Sequence, residues 1–197
     1  MSRFWKDPQN IIALGVTLIS VCALIVSITQ TRVMVQQSEL MDVQARASVR
    51  PILRYSSDRS FDPDSRALTG YRLVVTNSGV GPAIIDDVRV SYAGEAATGW
   101  GPLFLRFDLP DTLPTYVDNA QLNHSVLQAG QSVVILDLTD NIDLARAIYE
   151  RMDALNVEIL YSSIYADRFV GLVGTDGWKT VEDEGQVTSF GDESFYD

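Results

Sequence analysis

Gly70-Tyr71-Arg72-Leu73-Val74-Val75-Thr76, then Asn77-Ser78-Gly79-Val80-Gly81-Pro82-Ala83, then Ile84-Ile85 and Val88-Arg89-Val90-Ser91-Tyr92 decide the fold class. The outer pieces are rich in β-branched and aromatic residues. Val88 to Tyr92 also alternates apolar with polar, which is the period of a half-buried strand. Between them lies a dense turn cluster. Such a loop is expected to visit positive φ at its glycines and to stop the ladder at Pro82. The Asn77 side chain can brace it by bonding the local backbone. Asn77, Gly79, Gly81 and Pro82 are therefore assigned a structural role in a turn between two strands. A phosphate loop would need a following Lys-Ser/Thr and a helix start, and neither is present.

The same period extends outward on both sides. Ile52, Leu53 and Tyr55 begin a strand that gives way to a polar loop from Ser56 to Arg66. Leu103 to Leu109 and Ser132 to Leu138 read as further strands, the second preceded by the turn Gln128-Ala129-Gly130. Val157 to Tyr165 and Arg168 to Val173 form a hairpin, which Trp178 to Val181 extends. One helix interrupts the series at about 141–155, with Asp140 or Asn141 as N-cap, Asp143 in the first turn, and Leu144, Ala147, Ile148, Met152 and Leu155 facing inward. Residues 50–181 are thus predicted to be a mainly β domain, an antiparallel immunoglobulin-like β-sandwich with one inserted helix.

Upstream, the character changes completely. No charged residue occurs from Pro8 to Thr31, and Ile11 to Ile28 is almost continuously apolar. Eighteen residues rise about 27 Å as a helix, and the polar flanks carry it past the roughly 30 Å of a bilayer's hydrocarbon. A core helix would keep a polar stripe, and a secretory signal would end after a shorter apolar run at a small-x-small site. Thr17, Ser20 and Ser27 are tolerable because their hydroxyls can bond back to helix carbonyls. Residues 11–31 are predicted to be a transmembrane helix, with the lipid bilayer as their partner, behind a short cytoplasmic N-terminus at 1–10. Arg3 and Lys6 precede the span; behind it comes Arg32, then nothing basic until Arg46. That bias favours the N-terminus inside and the C-terminal domain outside, with Phe4 and Trp5 as interfacial anchors; a cytoplasmic C-terminal domain is the alternative.

Residues 32–49 hold no Gly or Pro and continue as a helical stalk with a narrow stripe at Val33, Leu40, Val43 and Ala47. The stripe can pack on the chain's own domain or on a second copy. Pro51 ends the helix. At the far end, residues 182–197 carry six acids and no Lys or Arg, and are predicted to be an acidic disordered tail whose Phe190, Phe195 and Tyr196 could dock on a partner.

Composition narrows the function classes. The chain's 197 residues leave no room for a two-domain enzyme beside the anchor. Fifteen Lys+Arg against 26 Asp+Glu, a net charge of −11, argue against a nucleic-acid surface. The single Cys excludes a disulfide framework and any cysteine-rich metal site, and the single His excludes multi-histidine zinc chemistry. His124 lies in a polar stretch with no Gly-x-Ser-x-Gly nucleophile elbow anywhere, and Cys22 sits within the span. Asp58, Asp62 and Asp64, like Asp137, Asp140 and Asp143, lack the ligand spacing of a calcium loop. Asn123-His124-Ser125 matches a glycosylation acceptor, which matters only for a eukaryotic lumenal chain. No catalytic, cofactor or metal residue is assigned, and the chain is read as non-enzymatic.

Three stretches carry a resemblance. Arg46-Ala47-Ser48-Val49-Arg50-Pro51, Asn77 to Ala83, and Ile159-Leu160-Tyr161-Ser162-Ser163-Ile164-Tyr165-Ala166-Asp167-Arg168-Phe169 occur in this order. In them the chain resembles a loose set of uncharacterised bacterial single-pass membrane proteins with an N-terminal helix, a helical stalk and a small β domain. The third stretch is similar to that set's Tyr-x-Ser-x-Tyr-Gly-Asp-x-Trp ending, with Ala166 and Phe169 in place of its Gly and Trp. The resemblance implies architecture and bacterial origin; combined with the charge bias around the span, a bacterial chain is expected in the inner membrane with the domain in the periplasm. It implies no activity.

Two functions follow as expectations. The first is a membrane-tethered, non-catalytic interaction module, an accessory or assembly component of an envelope complex, with its contact surface near Trp100, Tyr161, Tyr165 and Trp178. The second is a membrane-anchored ligand-binding or hydrolytic domain using the acidic loops and His124.

Overall fold

A computed structural model describes residues 8–107, 120–174, 177–182 and 189–196. They fall into two compact units, Met1–Ala47 and Ser48–Asp197. The described residues of the first unit lie in one α-helix, α1, which runs from Pro8 to Ser48 without a break. It is long and apolar enough to cross a membrane, and its described side chains from 8 to 44 are exposed. The hydroxyls of Thr17 and Ser20 donate to the carbonyls of Ala13 (2.9 Å) and Val16 (2.8 Å), and those of Thr29 and Thr31 bond back in the same way. These four hydroxyls are thereby satisfied within the helix, as an apolar surrounding demands. The Arg46–Asp42 ion pair, one turn apart, braces the last turns at 3.0 Å. The anchoring aromatics expected at Phe4 and Trp5 lie outside the described residues.

The second unit is built from antiparallel sheets. β1 (Leu53–Phe61), β2 (Leu68–Asn77) and β6 (Ser132–Asp137) form one, in the order β1-β2-β6. The other is β4-β3-β7-β8-β9, made of β3 (Ala83–Tyr92), β4 (Glu95–Ala97), β7 (Leu155–Ser162), β8 (Arg168–Gly174) and β9 (Gly177–Glu182). A two-residue strand β5 (Val126–Leu127) also pairs with β3. Both sheets contribute to one core: Leu53, Leu73, Val75 and Leu136 from the first, Ile85, Val88, Val157 and Ile159 from the second. The alternation that marks these strands in the sequence is what turns every second side chain inward.

Among the described residues, two α-helices complete the unit. α2 (Trp100–Leu105) buries Trp100, Leu103 and Phe104. α3 (Ile142–Arg151) is capped by the Asn141 side chain, whose oxygen accepts from the Leu144 N–H at 3.1 Å, and buries Leu144, Ala145, Ala147 and Ile148.

Three expectations need correction. Leu103–Leu109 is helical as far as Leu105 rather than a strand, with 108 and 109 outside the described residues. Trp100, Leu103, Phe104 and Phe107, all buried, recur at i, i+3, i+4 and i+7, a helical period. The polar stretch after Tyr55 is no loop up to Phe61. It continues β1 as an edge strand whose polar residues face water, and the connection is only 62–67. The tail also departs from expectation. Ser189–Tyr196 packs on the domain, with Phe195 buried, while 183–188 and 197 lie outside the described residues.

Candidate functional site

The three stretches that carry the resemblance meet at one end of the β domain. Asn77 closes β2 fully buried, and its amide spends every hydrogen-bonding capacity it has. Its Oδ1 accepts from the Gly79 N–H (3.0 Å) and the Ile52 N–H (3.3 Å), while Nδ2 donates to the carbonyls of Gly81 (2.8 Å) and Leu127 (3.0 Å). The Ser78 and Val80 N–H groups donate to the carbonyls of Ile52 (2.7 Å) and Arg50 (3.2 Å). The turn therefore clasps residues 49–52, the first stretch of the domain after α1. Neither Gly79 nor Gly81 has positive φ, contrary to the expectation from sequence. Their lack of a side chain serves close approach instead: a Cβ on Gly81 would run into the Val49 carbonyl, and one on Gly79 into the Arg50 carbonyl and the Ile52 nitrogen.

The β7–β8 hairpin closes the other side of this junction. The Arg50 guanidinium lies over the Phe169 ring, 5.1 Å from its centroid, and Phe169 stacks on Tyr161 at 5.3 Å. Tyr161 is wholly inside, and burial pushes its phenol above the usual range. The hairpin turn is tied by Ser163, whose Oγ accepts from the N–H groups of Tyr165 (3.1 Å) and Asp167 (3.2 Å). Ala166 sits there at φ +61°, a left-handed conformation that favours glycine.

A second constellation centres on Asp87. β3 carries a bulge between Ile85 and Asp87, and the extra residue turns Asp87 inward, 3% exposed. Its Oδ2 accepts from the Phe190 N–H (2.7 Å) and from the hydroxyls of Ser189 and Ser194 (2.8 Å each), and its Oδ1 from the Val88 N–H (2.9 Å). Burial alone would raise this carboxyl, but those donors outweigh it and hold the group below the usual carboxylate range. Asn123 Nδ2 donates to the Phe195 carbonyl at 3.2 Å. Phe195 meets the Trp100 ring edge-on at 5.1 Å, and its N–H donates to the Val88 carbonyl at 2.7 Å. Arg89 is paired with Glu158 and Glu193 and lies over Phe190. The segment 189–195 is thus latched onto β3.

The proposed contact surface does not form a single patch. Trp100 and Tyr161 are core residues, 3% and 0% exposed. Trp178 is half-buried, lies against Gly171 where a Cβ would collide with its ring, and stacks on Tyr55 at 6.3 Å. Only Tyr165 is exposed, at 41%. Aromatic rings are large apolar bodies, and this core takes them up wherever the sheets leave room. Other apolar side chains stand out at the junction end: Val80 on the clasping turn, Ile52 beside it, and Ile164 on the hairpin turn, all exposed.

His124 is exposed on a turn at φ +57°. A small cleft beside it is lined by Val88, Val90, Trp100, Leu122, Asn123 and Phe195, with no carboxylate among its lining residues. Among the described residues no three His, Cys, Asp or Glu side chains gather to hold a metal ion. Most of the polar region 111–125 lies outside the described residues. Compared with protein-family models, curated proteins and solved structures, the chain matches none.

Proposed function

We propose that the chain is a membrane-tethered, non-catalytic interaction module: α1 anchors it in a bacterial inner membrane and the β domain is presented in the periplasm as an accessory or assembly component of an envelope complex. The observation that carries this reading is α1 itself, a helix of 41 residues containing an exposed apolar stretch long enough to cross a membrane and running without interruption to the start of the domain. The strand order supports an immunoglobulin-like sandwich. β1-β2-β6 matches strands A-B-E of that fold, and β4-β3-β7-β8 matches C′-C-F-G, with β2→β3 and β6→β7 crossing between sheets. Such domains commonly present loops and sheet faces to partners, and Ile52, Val80, Ile164 and Tyr165 offer an apolar rim for that role.

Cysteine labelling tests the topology. In a Cys22→Ser background, Glu95→Cys places a thiol at a position whose side chain is 81% exposed. A membrane-impermeant maleimide is expected to label it in osmotically opened outer envelopes with the inner membrane intact. Labelling only after the inner membrane is permeabilised would place the domain in the cytoplasm.

A further inference from the structure

We infer that α1 pairs with a second copy of itself, in parallel, along one heptad seam that continues from the membrane span into the stalk. This deepens the anchored-module reading and rests on it. Because α1 is one unbroken helix, a heptad phase set in the span is preserved in the stalk. One set of positions seven apart is Ile12, Ile19, Val26, Val33, Leu40 and Ala47, every one apolar. Three residues after each of the first five come Gly15, Cys22, Thr29, Gln36 and Val43. In coiled-coil terms the first set occupies a and the second d; Ile12, Ile19, Val26 and Val33 at a are β-branched as in two-stranded coils, while the d positions hold small or polar residues and Val43 where such coils place Leu.

The division of side chains suits each environment. Inside the span, small Gly15, Cys22 and Thr29 on the seam allow helix axes to approach, while bulky Leu14, Val21 and Ile28 face away. In the stalk, Val33, Leu40 and Val43 are 50%, 65% and 63% exposed, a cost in water that a partner helix removes. The seam runs from Ile12 to Ala47, about 52 Å of helix. With the flanking e and g positions it engages about 22 residues a side, within the roughly 20–30 of a stable interface. Two copies anchored in one membrane already share the orientation a parallel pair needs.

Copper-phenanthroline oxidation of membranes holding the full chain tests this. Cys22, the one cysteine, is expected to yield a disulfide-linked dimer. In a Cys22→Ser background, Val33→Cys, Leu40→Cys and Val43→Cys are expected to cross-link several-fold better than Met34→Cys, Ser38→Cys and Met41→Cys. Equal cross-linking around the helix, a maximum on another stripe, or no dimer at any position overturns the seam. Alkaline extraction of the same membranes separates the two readings: release of the protein defeats the anchor, whereas retention without seam cross-links defeats only the pairing.

Discussion

A methyl group added at Gly81 has nowhere to go, because the obstacle is the Val49 backbone and not the far end of a flexible side chain. Gly81→Ala should destabilise the β domain by about 3 kcal/mol, the upper part of the range for overpacking, read as a fall in the denaturation midpoint of residues 48–197. Asn77 gives a sharper comparison. Asn77→Ala strips partners from two N–H groups and two carbonyls at once, each worth about 1–3 kcal/mol when buried unpaired. Asn77→Asp keeps the acceptor side but points a carboxylate at the Gly81 and Leu127 carbonyls, so it should rescue little. Near-wild-type stability for the aspartate variant would show that the two donated bonds are dispensable. Ala166→Gly should do the reverse and stabilise by about 0.5–1 kcal/mol, since it relieves a left-handed alanine. The cluster at 77–82 was legible as a break between two strands, but the reason for its glycines was not. Close approach between 49–52 and 79–81 depends on a contact some thirty positions away, which no local pattern encodes.

Among the elements, the C-terminal segment responds to pH. The folded Asp87 carboxyl lies below its unfolded value of about 3.9. The stabilisation it gives is therefore fully present above that value and is lost as pH falls through the folded one. Hydrogen exchange at the Phe195 amide, which bonds the Val88 carbonyl, should be protected at neutral pH and lose that protection below about pH 4. Asp87→Asn turns an acceptor into a donor facing other donors and should cut that protection at least about tenfold at neutral pH, the equivalent of about 1.4 kcal/mol. Protection unchanged by both acid and substitution would mean that Phe195 alone holds the segment. Composition made this segment look like solvated tail, because six acids in sixteen residues outweigh three aromatics. Its receptor is a bulged, inward-turned aspartate in β3, and a bulge shifts the alternation on which strand reading depends. α2 was legible after all, through the spacing of Trp100, Leu103, Phe104 and Phe107. Reading Leu103 onward as a strand began the window too late to see it.

For the whole molecule, the division into Met1–Ala47 and Ser48–Asp197 carries a charge asymmetry. The first unit holds four bases and three acids, which leaves a net −12 on the second. A chain of residues 48–197 has its own core from both sheets and enough charge for solubility. It should stay in solution and unfold in a single transition with Trp100 fluorescence shielded until then; aggregation on release from α1 would show that the helix contributes to the fold. The two-part organisation was the most legible feature of all, since an uncharged run of that length admits few readings. Strand order and the latch were not, because both depend on pairing between distant segments. The clasp also has a mechanical meaning. Any pull that reaches the domain along its tether arrives at Ser48 and is taken up within four residues. There it is shared among the Arg50 and Ile52 carbonyls, the Ile52 N–H and a fully satisfied buried asparagine before β1 even begins. Load is handed inward to the buried Asn77 and through it to the Leu127 and Gly81 carbonyls, so it does not fall on the first residues of edge strand β1 alone.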